Sequence, residues 1–259
     1  MNTAPDADLY AFAETLADAA GELVRPYFQR PIEVEAKPGD SPVTAADRAV
    51  ETLLREMVAA AYPDHGVIGE EFRDHNADAE YVWVFDPIDG TRSFIIGVPL
   101  FTTLIALVRN GAPVLGVIDQ PVINDRWVGG IGYPATFNGA PARVRDCGDL
   151  ALAQLCTSND AYFKGEDGAA FERLRGAVRW AHQGADAYGF GLIASGLIDL
   201  GFEADLGPHD YCALAPVIEA AGGIITDWNG DPLTIHSDGR VLAGGDRRAH
   251  AAALALLAG

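Results

Sequence analysis

The chain has 259 residues, 49% of them hydrophobic, and its 37 acidic against 18 basic side chains leave a formal net charge of −19. That length supports a sizeable core, at roughly 100–200 residues per domain. The charge argues against nucleic acid and anionic membranes as partners, because affinity for them comes from neutralising phosphates with Lys and Arg.

Three scattered cysteines, Cys147, Cys156 and Cys212, match neither a disulfide framework nor a metal-binding spacing and suit a reducing compartment. The N-terminus has no basic segment leading into an apolar one, and no apolar run approaches the ~20 residues of a membrane span. The chain therefore reads as soluble and cytoplasmic. Any anionic ligand would need positive charge brought by the site itself, most simply as a metal ion.

In chain order, Leu9, Phe12, Leu16, Leu23 and Tyr27 form one stripe of a helix predicted from Asp6 to Phe28. A loop over 37–42 follows; its Lys37 either draws phosphate or is simply solvated. A second helix begins near Thr44, its expected N-cap, with Asp47 in the first turn and Val50, Leu53, Leu54, Met57 and Val58 inward. A strand over Tyr81–Phe85 is expected to end at Asp86-Pro87. Asn110-Gly111, between apolar runs over 102–108 and 114–118, predicts a hairpin. A second hairpin-like stretch, 126–144, is broken by glycines and Asn138-Gly139. Strands are expected at 155–157, 198–203 and 224–227, and helices at 168–178, 186–195, 210–221 and 246–257. Intermingled helices and partly antiparallel strands make this an α/β (α+β) layered fold. We expect one catalytic domain over 1–259, with halves of about 1–146 and 147–259.

The chemistry gathers at Asp86-Pro87-Ile88-Asp89-Gly90-Thr91. A hydrophobic strand delivers two carboxylates, hard oxygen ligands of the kind Mg²⁺ takes, and Gly90 allows close backbone approach. Alone, such a run is often only a turn. Glu70-Glu71 again places carboxylates after a short apolar run, although an exposed acidic loop would look the same. Asp210 is a candidate ligand or a helix N-cap.

Taken together, Gly69-Glu70-Glu71, the segment from Asp86 to Thr91, Asp210 before an Ala-rich helix ending in Gly222-Gly223, and Val43-Thr44-Ala45-Ala46-Asp47 resemble the inositol monophosphatase family over nearly the whole chain. The resemblance implies a layered sandwich of alternating helices and mixed sheets, a homodimer, and two or three Mg²⁺ ions. It assigns metal binding to Glu70, Asp86, the Ile88 carbonyl, Asp89 and Asp210. Asp47 and Thr91, with Glu70 beside them, would orient and activate the water, and the N–H groups of Gly90 and Thr91 would hold the phosphate.

Within the family, segments 101–107, 116–121 and 125–129, together with Gly184-Ala185-Asp186-Ala187-Tyr188, are similar to the histidinol-phosphatase branch. Asp186 and Glu203, with Asp210 closing the site, would face the substrate, where two carboxylates suit the ammonium of histidinol phosphate. Asp186 also reads as a helix cap and Glu203 as a solvated strand end. The alternatives are an inositol-1-monophosphatase and, from another class, a non-catalytic binding or regulatory protein on the same fold. No histidine, including His182 and His209, is assigned to metal.

Overall fold

The computed structural model describes residues 5–36 and 42–257. Lys37 and the loop around it lie outside the described residues. Among those described, one sheet has seven strands in sequence order: β3 (Gly66–Gly69), β4 (Tyr81–Asp89), β5 (Thr102–Arg109), β6 (Ala112–Gln120), β7 (Asp125–Gly130), β8 (Tyr133–Phe137) and β9 (Ala140–Pro141). Only its β3–β4 pair is parallel. The second sheet is ordered β11 (Trp180–Gln183), β10 (Gln154–Thr157), β12 (Leu200–Glu203), β14 (Val241–Gly244), β13 (Ile224–Thr226), with β10 parallel to both its neighbours. A two-stranded ribbon joins β1 (Val34–Ala36) to β2 (Pro42–Thr44).

Alternation along β4 explains the layering. Trp83 and Phe85 face a core shared with α1 (Ala7–Val24) and α2 (Ala45–Ala61). Val82 and Val84 face the opposite core, built with α5 (Asp186–Ala194) and α7 (Leu214–Ala220). That middle core also takes Val241 and Ala243 of β14, while Leu242 turns to a third core against α4 (Glu166–Ala177) and α8 (Arg247–Leu257). The order is helices, sheet, helices, sheet, helices, which is the expected layered sandwich. Cross-strand neighbours Gly116 and Gly129 let α7 approach the larger sheet: a Cβ at Gly116 would lie 2.0 Å from the Ala213 carbonyl oxygen.

Both Asn-Gly turns form, with φ of 50° and 81° at Asn110-Gly111 and 50° and 77° at Asn138-Gly139, the left-handed pair of a tight hairpin. Several boundaries differ from expectation. Helix α1 stops at Val24: Arg25 keeps helical dihedrals, but Pro26 has no N–H for the Glu22 carbonyl. Strand β4 continues through Pro87 to Asp89, since pairing to β5 resumes at Asp89–Thr102 after an irregularity. The helix expected over 210–221 is two: α6 (Pro208–Tyr211) and α7. Pro216 has no N–H for the Cys212 carbonyl, so the chain breaks there and Pro216 falls in the first turn of α7. Strands β1, β2, β11 and β14 have no counterpart among the elements expected from the sequence, and Pro42, expected in the loop, opens β2.

Candidate functional site

The irregularity in β4 shapes the centre of the site. In a regular strand, residues three apart point to opposite faces. Here Asp86 and Asp89 turn to the same side and meet Asp210 of α6, and a carboxylate oxygen from each of the three lies within 4.8 Å of the others. Asp86 is buried, and its Oδ1 accepts the Ile88 N–H at 3.0 Å. Asp89 Oδ2 accepts the Ala187 N–H at 2.8 Å. Asp210 is not an N-cap; it sits inside the first turn of α6 and its Oδ2 reaches back to the Gly207 N–H at 2.7 Å. Glu70 follows β3 outside this trio, but its charge is felt by both Asp86 and Asp210.

A cavity of about 540 Å³ opens over this cluster, with Arg92 as the only Lys or Arg among the described residues that line it. Of ten residues nominated from the sequence, eight line it: Glu70, Asp86, Ile88, Asp89, Gly90, Thr91, Asp186 and Asp210. Asp47 and Glu203 are buried outside the lining. Asp47 caps its own helix: Oδ2 accepts the Thr44 N–H at 2.8 Å and the Thr44 hydroxyl at 2.5 Å, while Oδ1 has no hydrogen-bond partner among the described residues. Thr91 opens the short helix α3 (Thr91–Ile95), and its hydroxyl donates to the Ile88 carbonyl at 3.1 Å. Gly90 has φ of 80°, and a Cβ there would lie 2.8 Å from Asp186 Oδ2.

Asp186, the first residue of α5, has a left-handed backbone, φ 45°, and lines the cavity, where the Ser158 side chain hydrogen-bonds its carboxylate and the Arg92 charge acts on it. Glu203 is not a solvated strand end. Its Oε1 accepts the Ser158 N–H at 2.6 Å and the Ser158 hydroxyl at 2.9 Å, which leaves Ser158 between it and the cavity.

Burial followed by mutual repulsion holds the Asp86 and Asp89 carboxyls well above their ordinary range. Burial also raises Asp47, Asp186 and Asp210, and it pushes Glu203 up to about 8 against the lowering effect of its Ser158 bonds. Such crowding of hard oxygen donors, with one arginine in the lining, fits a hard divalent cation: the donor set is all oxygen and its repulsion is left for an ion to relieve.

Two further residues shape the site. Glu51 lies four residues after Asp47 on α2, fully buried, and binds the main chain next to Glu70. An acid between the inward-facing Val50 and Leu54 was the signal for it. Ser158 carried none, because its role depends on β10 lying beside β12.

Residues 6–258 match the model of the inositol monophosphatase family. The Bifunctional phosphatase IMPL2, chloroplastic, of Arabidopsis thaliana is 42% identical over 96% of this chain and 75% of its own length. A Histidinol-phosphatase of Chlorobaculum parvum is 36% identical over 92% of each chain. A solved inositol monophosphatase from Zymomonas mobilis superimposes with a TM-score of 0.90 at 41% identity, covering 98% of this chain and all of that one. Fold, site and sequence agree that this chain is a phosphatase belonging to the inositol monophosphatase family.

Proposed function

We propose that the protein is a Mg²⁺-dependent histidinol-phosphatase, splitting L-histidinol phosphate into L-histidinol and phosphate. The observation that carries this reading is Asp186, a carboxylate that lines the cavity over Gly90 from a left-handed backbone. There it suits the substrate ammonium, with which it forms a charge-assisted pair. Glu203 supports it from behind Ser158. Among the described residues a single lining arginine faces the cavity, which suits a monoester better than a bisphosphate. Histidinol-phosphatases among the relatives lend further support.

In this reading Glu70, Asp86, Asp89, Asp210 and the Ile88 carbonyl hold two or three Mg²⁺ ions. The chemistry a bound divalent cation supplies is positive charge at the phosphate oxygens and a lowered pKa for water. Asp47 would take the proton of the attacking water at Oδ1, the oxygen without a partner among the described residues, and its raised pKa makes it a better base. Thr44 holds the other oxygen and so orients the carboxylate. Thr91 positions the water, and the N–H groups of Gly90 and Thr91 hold the phosphate as charge develops. The whole chain acts as one catalytic unit, with halves meeting near residue 146, because both sheets contribute to the cavity. The proposed assembly is the family's homodimer, which sedimentation velocity distinguishes from a monomer.

The likeness to a solved inositol monophosphatase favours a second reading, in which inositol 1-phosphate is the substrate. Phosphate release from both esters, with Mg²⁺ and with chelator, separates the two. We expect a strong preference for histidinol phosphate that weakens about tenfold or more in Asp186→Asn, the scale of a lost charged hydrogen bond. Preference for inositol 1-phosphate would overturn the substrate assignment.

A further inference from the structure

We propose that Glu51 and Arg55 form a charged clamp on α2 that fixes Glu70 in place and so sets the affinity of the carboxylate cluster for divalent cations. The inference rests on the reading of Glu70 as a metal-binding residue. Strand β3 ends at Gly69, whose register partner is Phe85, and the N–H groups beyond it have no ladder to enter. Glu51 supplies their acceptors. Its Oε2 accepts the Glu71 N–H at 2.7 Å, and its Oε1 accepts the Phe72 N–H at 3.3 Å. On the other side of Glu70, a Cβ at Gly69 would lie 2.1 Å from Glu51 Oε1, so the carboxylate is pressed against the chain there as well. Glu70 is thus held on both flanks by one fully buried side chain.

Arg55 completes the clamp from the next turn. Its Nε donates to Glu51 Oε1 at 2.7 Å, its Nη2 donates to the Phe72 carbonyl at 3.3 Å, and its guanidinium lies 5.9 Å from the centre of the Phe72 ring. Asp47, Glu51 and Arg55 are spaced i, i+4, i+8 and share a helix face. One rigid helix therefore carries the proposed base and also holds the loop bearing a proposed ligand, so the distance between the two is set by helix geometry. If only packing were needed, an apolar residue would serve better than a buried ion pair. A charged pair spent on main-chain N–H groups beside a ligand is instead the pattern that orients metal-binding side chains.

The test uses full-length, chelator-stripped protein and Mg²⁺ as the probe. Calorimetric titration should show a Kd for Mg²⁺ raised about tenfold or more in Glu51→Gln, within the range found when such supporting groups are removed. The lost rate should be recovered by raising Mg²⁺, with KM for the phosphate ester at saturating Mg²⁺ within about twofold of wild type. Arg55→Gln, which keeps the carboxylate, should shift the Kd the same way by less and covers the case in which Glu51→Gln does not fold. Val50→Ala, a cavity in the same helix, should lower Tm without moving the Kd. A Kd within about twofold of wild type in both clamp variants, whatever their Tm, would overturn the proposal. So would a KM that rises at saturating Mg²⁺, which would place the effect on substrate. Wild-type protein that binds no Mg²⁺ would instead remove the metal reading beneath it, and the clamp with it.

Discussion

Replacing Asp86 by asparagine separates what the carboxylate cluster does for folding from what it does for chemistry. Asparagine keeps the size of the side chain and an oxygen for the Ile88 N–H, but it removes the charge. At the 4.8 Å that bounds the separations in the Asp86–Asp89–Asp210 trio, two like charges cost about 3.5 kcal/mol at an effective dielectric of ~20. Protonation limits this, since neutralising an ordinary carboxylate at pH 7 costs about 4 kcal/mol. Cavity water also screens Asp89 and Asp210, which are only half-buried. We therefore expect Asp86→Asn to stabilise the metal-free protein by about 2 kcal/mol, or roughly 4–8 °C in Tm for a chain of this size. The same change should lower kcat/KM by at least about 10²–10³-fold, as the loss of a charge-stabilising group does. The assay is thermal unfolding of both proteins in chelator and in Mg²⁺, alongside phosphate release. Wild type should gain about 2.7 kcal/mol at a hundredfold excess of Mg²⁺ over Kd, and the variant far less. A variant less stable than wild type in chelator, or one stabilised equally by Mg²⁺, would refute the electrostatic reasoning.

Glu203 gives a pH-dependent prediction. Its carboxyl stays protonated in the folded protein up to about 8 but ionises near 4.5 when unfolded, so unfolding releases a proton and its contribution to stability is lost as pH rises from about 4.5 to about 8. Glu203→Gln should therefore be most stabilised relative to wild type above pH 8, and a Tm difference independent of pH between 5 and 8.5 would contradict this. Thr44→Val removes the hydroxyl that holds Asp47; we expect about 1 kcal/mol lost from the helix cap and a lower kcat, read by unfolding and by steady-state kinetics. Gly116→Ala forces a methyl to 2.0 Å from the Ala213 carbonyl oxygen, and it should cost about 1–3 kcal/mol or more in denaturant unfolding because α7 must move away from the sheet. An unchanged midpoint would show that the helix is free to shift.

Much of the site could be read from the sequence because its carboxylates lie in short local patterns. Asp86, Asp89, Gly90 and Thr91 sit within six residues, and Glu70 directly follows an apolar run. Their convergence with Asp210 could not be read residue by residue, since it depends on a strand irregularity and a break between two helices. The Pro216 break was available in principle, but a proline in an apolar, Ala-rich run is easily absorbed into one helix. Strand β14 escaped because Val-Leu-Ala-Gly carries no alternation: it is covered by helices on both faces, and burial on both sides erases the period that identifies a strand. Strand β11 is short and lies at the edge of its sheet. Ser158 is the clearest case of information absent from the chain order, because its importance lies in the carboxylate it covers on a neighbouring strand.

The cavity draws Glu70, Asp86 and Asp89 from the seven-stranded sheet and its loops, Asp210 from α6, which follows β12 in sequence and packs on β4, and Asp186 from α5, which packs on the five-stranded sheet. An ion held by these groups would work as a rivet between two slabs: the energy with which it is held would also be energy by which the slabs adhere. Filling the site would then stiffen the protein along its main seam, and draining it would leave a row of mutually repelling charges on that seam. Resistance to proteolysis across the join should rise and fall with free cation concentration even when no ester is present.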